Sequence, residues 1–145
     1  MNKLYQATID GGNINNFHKK CDNIPNTLVL IKSEGQRRFG GFTPIPWKSK
    51  DEYIKDLDNK TFVFSLDNKK IYSLKSVSYV AVYHNITRGP EFGSNDINIR
   101  GNIIEERGLF INQNCFDYKG DINALCEYQK FLKAIEYEVF KVEFY

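Results

Sequence analysis

Short runs rich in β-branched and aliphatic residues alternate with turn residues along most of the chain. Two pairs of runs surround short polar turns, which is the pattern of a β-hairpin. The first pair is Thr27–Lys32 with Arg37–Thr43, and the second is Thr61–Leu66 with Lys70–Leu74. Gly40–Gly41 lies inside a predicted strand, which indicates a bulge or a close approach of another part of the chain.

Four later segments predict further strands. Val77–His84 consists almost entirely of strand-forming residues, so we expect a central strand covered on both sides. Asp96–Arg100 alternates isoleucine with polar residues, which is typical of a half-exposed strand. Leu109–Tyr118 includes a short extended run, and Ile135–Tyr145 alternates over most of its length and closes the fold as a strand.

The helical signal is strongest near the start of the chain. Asn13 is a predicted N-cap, and the helix after it should end by Asp22–Asn23, before Pro25. The residues at the spacing of one helix face are Ile14, Phe17, His18 and Cys21.

Three other segments are predicted as loops or isolated turns of helix. Asp51–Asn59 is polar and is expected to be a loop with one helical turn. Gly89–Gly93 is predicted as a loop from its glycine and proline content. Ile122–Phe131 is expected to contain a helical turn.

About eight short strands with one or two small helices predict an α+β, mainly β fold. We expect a two-layer antiparallel β-sandwich with one or two short flanking helices. The chain has 145 residues, of which 41% are hydrophobic, so residues 1–145 should form a single domain with its own core.

The charge balance argues against several classes of partner. The formal net charge is only +2, so neither nucleic acid nor an anionic membrane is expected as an obligatory partner. No run of 18 apolar residues occurs, so membrane insertion is not expected. Three cysteines without CxxC spacing, and no signal-peptide pattern in the first residues, favour a reducing compartment and a cytoplasmic location.

Catalytic and ligand-binding interpretations start from few residues. His18 and Cys21 share a helix face, where a buried histidine and an inert thiol are the simpler interpretation. His84, at a strand end, is expected to cap the strand or to be solvated. The two histidines and three cysteines lack metal-ligand spacing, and no glycine loop matches a phosphate-binding motif, so neither metal nor cofactor is predicted.

Two further candidates have a chemical and a structural interpretation. Trp47 could offer a stacking surface to a ligand, but packing is the simpler role. Glu136 and Glu138 project to the same face of the last strand, which suggests acid–base chemistry or, more simply, contact with a basic strand.

Taken in order, several segments resemble the TLDc domain family over residues 4 to the end of the chain. The matching segments are Leu4–Gly12, Phe17–Asp22, Thr27–Lys32, Phe39–Trp47, Phe62–Leu66, the GPEFG segment Gly89–Gly93, the DINI segment from Asp96, and Tyr137–Val142. Three segments depart from the family pattern: Ser94–Asn95, where more glycine is usual, Gly101–Gly108 and Asn112–Gln129. Met1 lies close to the first match, which favours a whole protein.

The resemblance implies a non-enzymatic protein-interaction module linked to oxidative-stress resistance. It implies binding to the peripheral, cytosolic sector of the vacuolar proton pump. Two alternatives stay open: a docking component of a cytoskeletal or axonemal assembly, and an enzyme of unknown substrate. The motif residues implied to matter for structure or contacts are Phe39, Gly40, Gly41, Pro46, Trp47, Gly89, Pro90, Phe92, Gly93, Glu138, Val139 and Phe140.

Overall fold

Residues 1–126 and 131–144, the part of the chain that this computed structural model describes, contain eleven strands and two short helices. The first elements are β1 (Asn2–Gln6), α1 (Ala7–Asp10), α2 (Ile14–Cys21), β2 (Thr27–Ser33), β3 (Arg38–Thr43) and β4 (Glu52–Lys55). They are followed by β5 (Phe62–Ser65), β6 (Lys70–Ser73), β7 (Val80–His84), β8 (Arg88–Phe92), β9 (Ile97–Arg100), β10 (Leu109–Ile111) and β11 (Ala134–Lys141).

The strands form two antiparallel sheets. The larger has six strands in the order β1-β11-β2-β3-β5-β6, and the smaller has five in the order β10-β9-β8-β7-β4. Side chains from both sheets and from α2 fill one core, whose largest fully buried members include Trp47, Phe17 and Phe92. The predicted fold class, a mainly β, two-layer antiparallel sandwich with two short helices, is confirmed.

Both predicted hairpins are present. β2 pairs with β3 and β5 with β6, each with an unbroken antiparallel register. The glycine pair in β3 reflects close approach rather than a bulge, because its pairing with β2 and β5 has no register shift. A Cβ atom at Gly40 would lie 1.8 Å from the Val29 carbonyl oxygen.

The predicted helix near the start of the chain is α2. Its N-cap is Asn13, whose side-chain oxygen accepts a hydrogen bond from the backbone N–H of Asn15. The apolar face buries Phe17 and Cys21 completely, so the helix docks on the sandwich through the side that the spacing predicted.

Two segments predicted as loops are strands. Within Asp51–Asn59, Glu52–Lys55 forms β4, an edge strand held by pairing with β7 rather than by its own composition. Gly89–Gly93 lies almost wholly within β8, where Pro90 occupies an irregular position of the β8–β9 register, between Arg88 and Glu91. Proline is tolerated at such irregularities because no ladder hydrogen bond is needed from its nitrogen.

Two predicted strands differ from expectation in extent or burial. Val77–His84 is a strand only from Val80, because residues 77–79 form a turn, and β7 lies second from the sheet edge. Asp96–Arg100 is not half-exposed, because Ile97, Asn98 and Ile99 are all fully buried.

Other differences concern the start of the chain and the segment between residues 109 and 131. The sequence analysis did not predict β1 or α1, and β1 pairs with the terminal strand β11. Only Leu109–Ile111 of the segment Leu109–Tyr118 is a strand. Residues 122–126 form turns and bends without a helix, and residues 127–130 of the predicted helical turn lie outside the described part of the chain.

Candidate functional site

Several motif residues meet between the two sheets. Gly41 in β3 faces Phe92 in β8, and a Cβ atom at position 41 would lie 2.6 Å from the Phe92 ring. The Trp47 ring packs edge-on against Phe92 and Phe17, with centroid distances of 5.5 and 5.9 Å. The Trp47 indole N–H donates a buried hydrogen bond of 2.9 Å to the Thr27 hydroxyl. Trp47 is therefore a core residue and not an exposed stacking surface.

Five further motif residues are buried or half-buried. Phe39 and Val139 are fully buried on the inner side of the larger sheet, and Pro46 is half-buried beside Trp47. Gly89 and Pro90 are buried within β8, where a Cβ atom at Gly89 would lie 3.1 Å from Ile99.

The turn after β8 is built around Gly93. Its φ of +67° is in the left-handed region, and a Cβ atom there would lie 2.2 Å from the Asp96 carboxylate. Asn95 also has a positive φ of 68°. Asparagine tolerates this conformation better than most residues, so it fits this turn.

The Asp96 carboxylate is a buried hydrogen-bond acceptor that the sequence analysis did not single out. It accepts from the backbone N–H groups of Asn114, Cys115 and Phe116 and from the Tyr118 hydroxyl. Burial raises the pKa of Asp96, and these hydrogen bonds oppose the rise. Asp96 thus holds residues 114–118 against the start of β9.

His18 is mostly buried and fully engaged in hydrogen bonds. Its Nδ1 lies 2.8 Å from the Asp22 carboxylate, and its Nε2 donates to the Arg88 carbonyl oxygen at 2.6 Å. The Ser49 hydroxyl donates to the far oxygen of Asp22 and not to the imidazole. Both imidazole nitrogens of His18 are engaged by Asp22 and backbone carbonyl oxygens, so among the described residues His18 activates no serine or cysteine.

Cys21 is buried behind His18 on the same helix. Burial raises the pKa of its thiol well above the ordinary value, so the thiolate needed for nucleophilic chemistry is disfavoured. The arrangement is that of a core thiol.

His84 is buried, which corrects the expectation of a capping or solvated side chain. It is 2% exposed, and its ring lies 6.2 Å from that of Trp47. Neither ring nitrogen has a hydrogen-bond partner among the described protein groups. Burial lowers the pKa of His84, so the neutral imidazole is favoured.

Glu136 and Glu138 contact residues at the other end of the chain. Glu136 accepts hydrogen bonds from the Thr8 backbone N–H at 3.1 Å and from the Gln6 amide at 3.0 Å. The Lys3 ammonium lies 2.7 Å from the Glu138 carboxylate. Both glutamates therefore fasten the start of the chain to β11, and each has its own partners.

The outward side of the six-stranded sheet carries large apolar side chains, and we call this surface the outer face. Its apolar members on neighbouring strands are Leu28, Leu30, Phe42, Phe62, Phe64, Ile71 and Phe140. Most of them line an open hollow of about 510 Å³, together with Leu66 and the lysines Lys69 and Lys70. Gly40 lies in the same outward row, between Leu30 and Phe64.

Neither metal binding nor membrane crossing gains support from the described residues. Residues 1–126 and 131–144 contain no group of three or more His, Cys, Asp or Glu side chains placed to hold a metal ion. Over the same ranges, no helix has the length and apolar character that spanning a bilayer requires.

The family model described as the TLDc domain matches residues 1–143, nearly the whole chain. No curated protein matches the chain.

Proposed function

Because the chain belongs to the TLDc domain family, we propose that it is a non-catalytic module that acts by binding a protein partner. The observation that carries the proposal is the outer face of the six-stranded sheet. Ile71 and Leu66 are exposed there beside half-buried Leu28, Leu30 and Phe62, so apolar side chains form one continuous surface. A continuous apolar surface of this kind is typical of a protein-interaction site.

The placement of the reactive groups supports the same proposal. His18 is occupied by Asp22 and a backbone carbonyl, and Cys21 is a buried thiol with a raised pKa. Gly41, Trp47 and Phe92 fill the space between the sheets, where a ligand would have to displace core packing. The motif residues thus serve as the rigid support of a binding surface.

The partner that we propose is the peripheral, cytosolic sector of the vacuolar proton pump. Support for this partner is the family resemblance, which links such modules to the pump and to oxidative-stress resistance. A cytoplasmic location follows from that partner and agrees with three cysteines that form no disulfide.

Size-exclusion chromatography of the purified chain with the purified peripheral sector tests this partner. We expect a complex with a dissociation constant of about 1 µM or tighter, as for a specific interface of ordinary size. The absence of any complex at about tenfold higher concentration would contradict the pump as partner. Co-sedimentation of the chain with salt-washed cytoskeleton would instead favour a docking role in a cytoskeletal or axonemal assembly.

A further inference from the structure

Two strands of the six-stranded sheet, β2 and β5, are apolar on both sides, although only one side is buried in the sandwich. In β2, Val29 and Ile31 point into the core, and Leu28 and Leu30 point outward. In β5, Val63 points inward, whereas Phe62 and Phe64 lie on the outer face. Strands that are apolar on both sides are typical of a sheet with a layer packed on each face.

The outer face carries an open hollow, and Gly40 leaves its row without a side chain of its own. Gly40 lies at the middle of the row that runs from Leu30 to Phe64, and the Phe64 ring leans over it, 3.1 Å from where a Cβ atom would stand. Phe62 lines this hollow, and the Phe42 ring, 5.4 Å from that of Phe62, lines a second hollow of about 500 Å³. We call the surface formed by the two hollows and these two rings the trough.

The rim of the trough is basic. Lys69 and Lys70 border the first hollow, and Lys60 borders the second. In residues 1–126 and 131–144, none of these three ammonium groups has a carboxylate as ion-pair partner. The nearby Glu138 is already paired with Lys3. A ligand with carboxylates at the edges of the trough would provide ion-pair partners for these lysines.

We infer that the trough binds an amphipathic helix of a protein partner, with apolar residues on one face and Asp or Glu along both flanks. This inference rests on the proposed function and specifies its surface. A six-stranded sheet is about 24 Å wide, which matches the length of a helix of about 16 residues. Packing of a helix on the outer face would add the missing layer and bury the exposed apolar side chains.

Charge and shape disfavour two other occupants. A second copy placed face to face would bring the two lysine rims together, which is repulsive. A flat anionic bilayer could reach the lysines but not the floor of the trough, where Phe64 is mostly buried.

Two synthetic peptides of about 16 residues, long enough to form helix on the sheet, test the inference by fluorescence anisotropy. Both carry the same leucine and phenylalanine face, one flanked by glutamate and the other by lysine. We expect the glutamate peptide to bind at least about tenfold more tightly, with the difference reduced in about 0.5 M salt. Equal binding of both peptides, or binding of neither, would overturn the inference.

A matched pair of variants locates the binding site. Ile71 is 64% exposed on the outer face, and Ile86 is 58% exposed in the turn before β8. Both side chains project into solvent, so Ile71→Glu and Ile86→Glu should fold like the wild type, as thermal melting would verify. We expect Ile71→Glu to weaken binding of the glutamate peptide at least about tenfold and Ile86→Glu to leave it unchanged. Unchanged binding by Ile71→Glu would contradict the inference.

Methyl NMR spectra provide a second measurement that needs no variant. The methyl groups of Leu28, Leu30 and Ile71 should shift on peptide addition, and that of Ile86 should not. Shifts confined to Ile86 and its surroundings would show that the peptide binds away from the outer face and would contradict the inference.

Two further outcomes would replace the inferred occupant. Self-association of the wild type that Ile71→Glu abolishes would show that a second copy covers the outer face. Co-sedimentation with phosphatidylserine vesicles that the same substitution abolishes would show a membrane-binding surface.

If the pump sector binds wild type and Ile71→Glu equally, the inference fails and the proposed function stands. If the pump sector does not bind the wild type, the proposed partner fails, whatever the peptides do.

Discussion

The ring of Phe92 occupies the place where residue 41 would carry a side chain. Three atoms of that ring would lie 2.6 to 2.8 Å from a Cβ atom at Gly41. Gly41 belongs to β3 of the larger sheet and Phe92 to β8 of the smaller one, so this contact joins the two layers. It explains why a side chain does not fit at position 41 while Phe92 fills the space between the sheets.

Gly41→Ala should destabilise the fold, because the added methyl group overlaps a fully buried aromatic ring. We expect a loss of about 1–3 kcal/mol in the free energy of unfolding, measured by urea denaturation. Combining Gly41→Ala with Phe92→Leu should cost less than the sum of the two single changes. Strict additivity of the two losses would contradict direct contact between these positions.

Asp96→Asn should also destabilise the fold. The amide nitrogen that replaces one carboxylate oxygen cannot accept a hydrogen bond, and the one remaining oxygen is a weaker acceptor for the buried donors of Asn114, Cys115, Phe116 and Tyr118. The expected loss is about 1–3 kcal/mol, again by urea denaturation. Asp117→Asn, at an exposed carboxylate in the same region, is the control and should leave the denaturation midpoint unchanged. Equal midpoints for both variants would contradict the role of Asp96.

Stability should fall on mild acidification because of His84. Burial lowers the pKa of His84 in the folded protein, so the unfolded chain binds a proton first as the pH falls below about 6.5. The contribution of His84 to stability is therefore complete above that pH and decreases as the pH falls toward the folded-state pKa. The slope due to this group is at most about 1.4 kcal/mol per pH unit.

His84→Phe removes the titrating group and should flatten this pH dependence. Urea denaturation of both proteins between about pH 7.5 and about pH 5.5 would measure the difference in slope. The comparison isolates His84 because every other titrating group is common to the two proteins. Identical slopes would show that His84 is not buried in its neutral form.

Cys21 should not react with thiol reagents in the native protein. Its thiol is fully buried and its pKa is raised, so both access and the thiolate population are low. Alkylation by iodoacetamide followed by peptide mass spectrometry should label Cys21 only after denaturation. Rapid labelling of Cys21 in folded protein would reopen the enzymatic alternative, for which loss of activity in Cys21→Ser would then be the test.

The sequence predicted those elements whose local signals agree with their tertiary surroundings. The hairpin of β2 and β3 and the capped helix α2 belong to this group. β4 was missed because EYIK is short and polar, and its strand form depends on pairing with β7. β8 was missed because Gly89 and Pro90 signal a loop locally, whereas pairing with β7 and β9 keeps the chain extended.

The outer face could have been predicted in part from the same runs. TLVLIK and TFVFSL lack the polar alternation of a strand with one solvated side, which indicates that both sides meet apolar groups. Their register across β3, which places Leu30, Gly40 and Phe64 in one row, depends on long-range pairing. The rim lysines come from separate segments, so only the fold brings Lys60 and Lys69 to the same surface.

The most direct test of a protein-binding role through the outer face is a comparison of captured proteins. Tagged wild type, Ile71→Glu and Ile86→Glu would be expressed at equal levels in cells of the source organism, and the proteins captured with each would be quantified by mass spectrometry. We predict a defined set that wild type and Ile86→Glu both retain and Ile71→Glu loses. Identical capture by all three, or no enrichment by the wild type over an empty tag, would contradict the account.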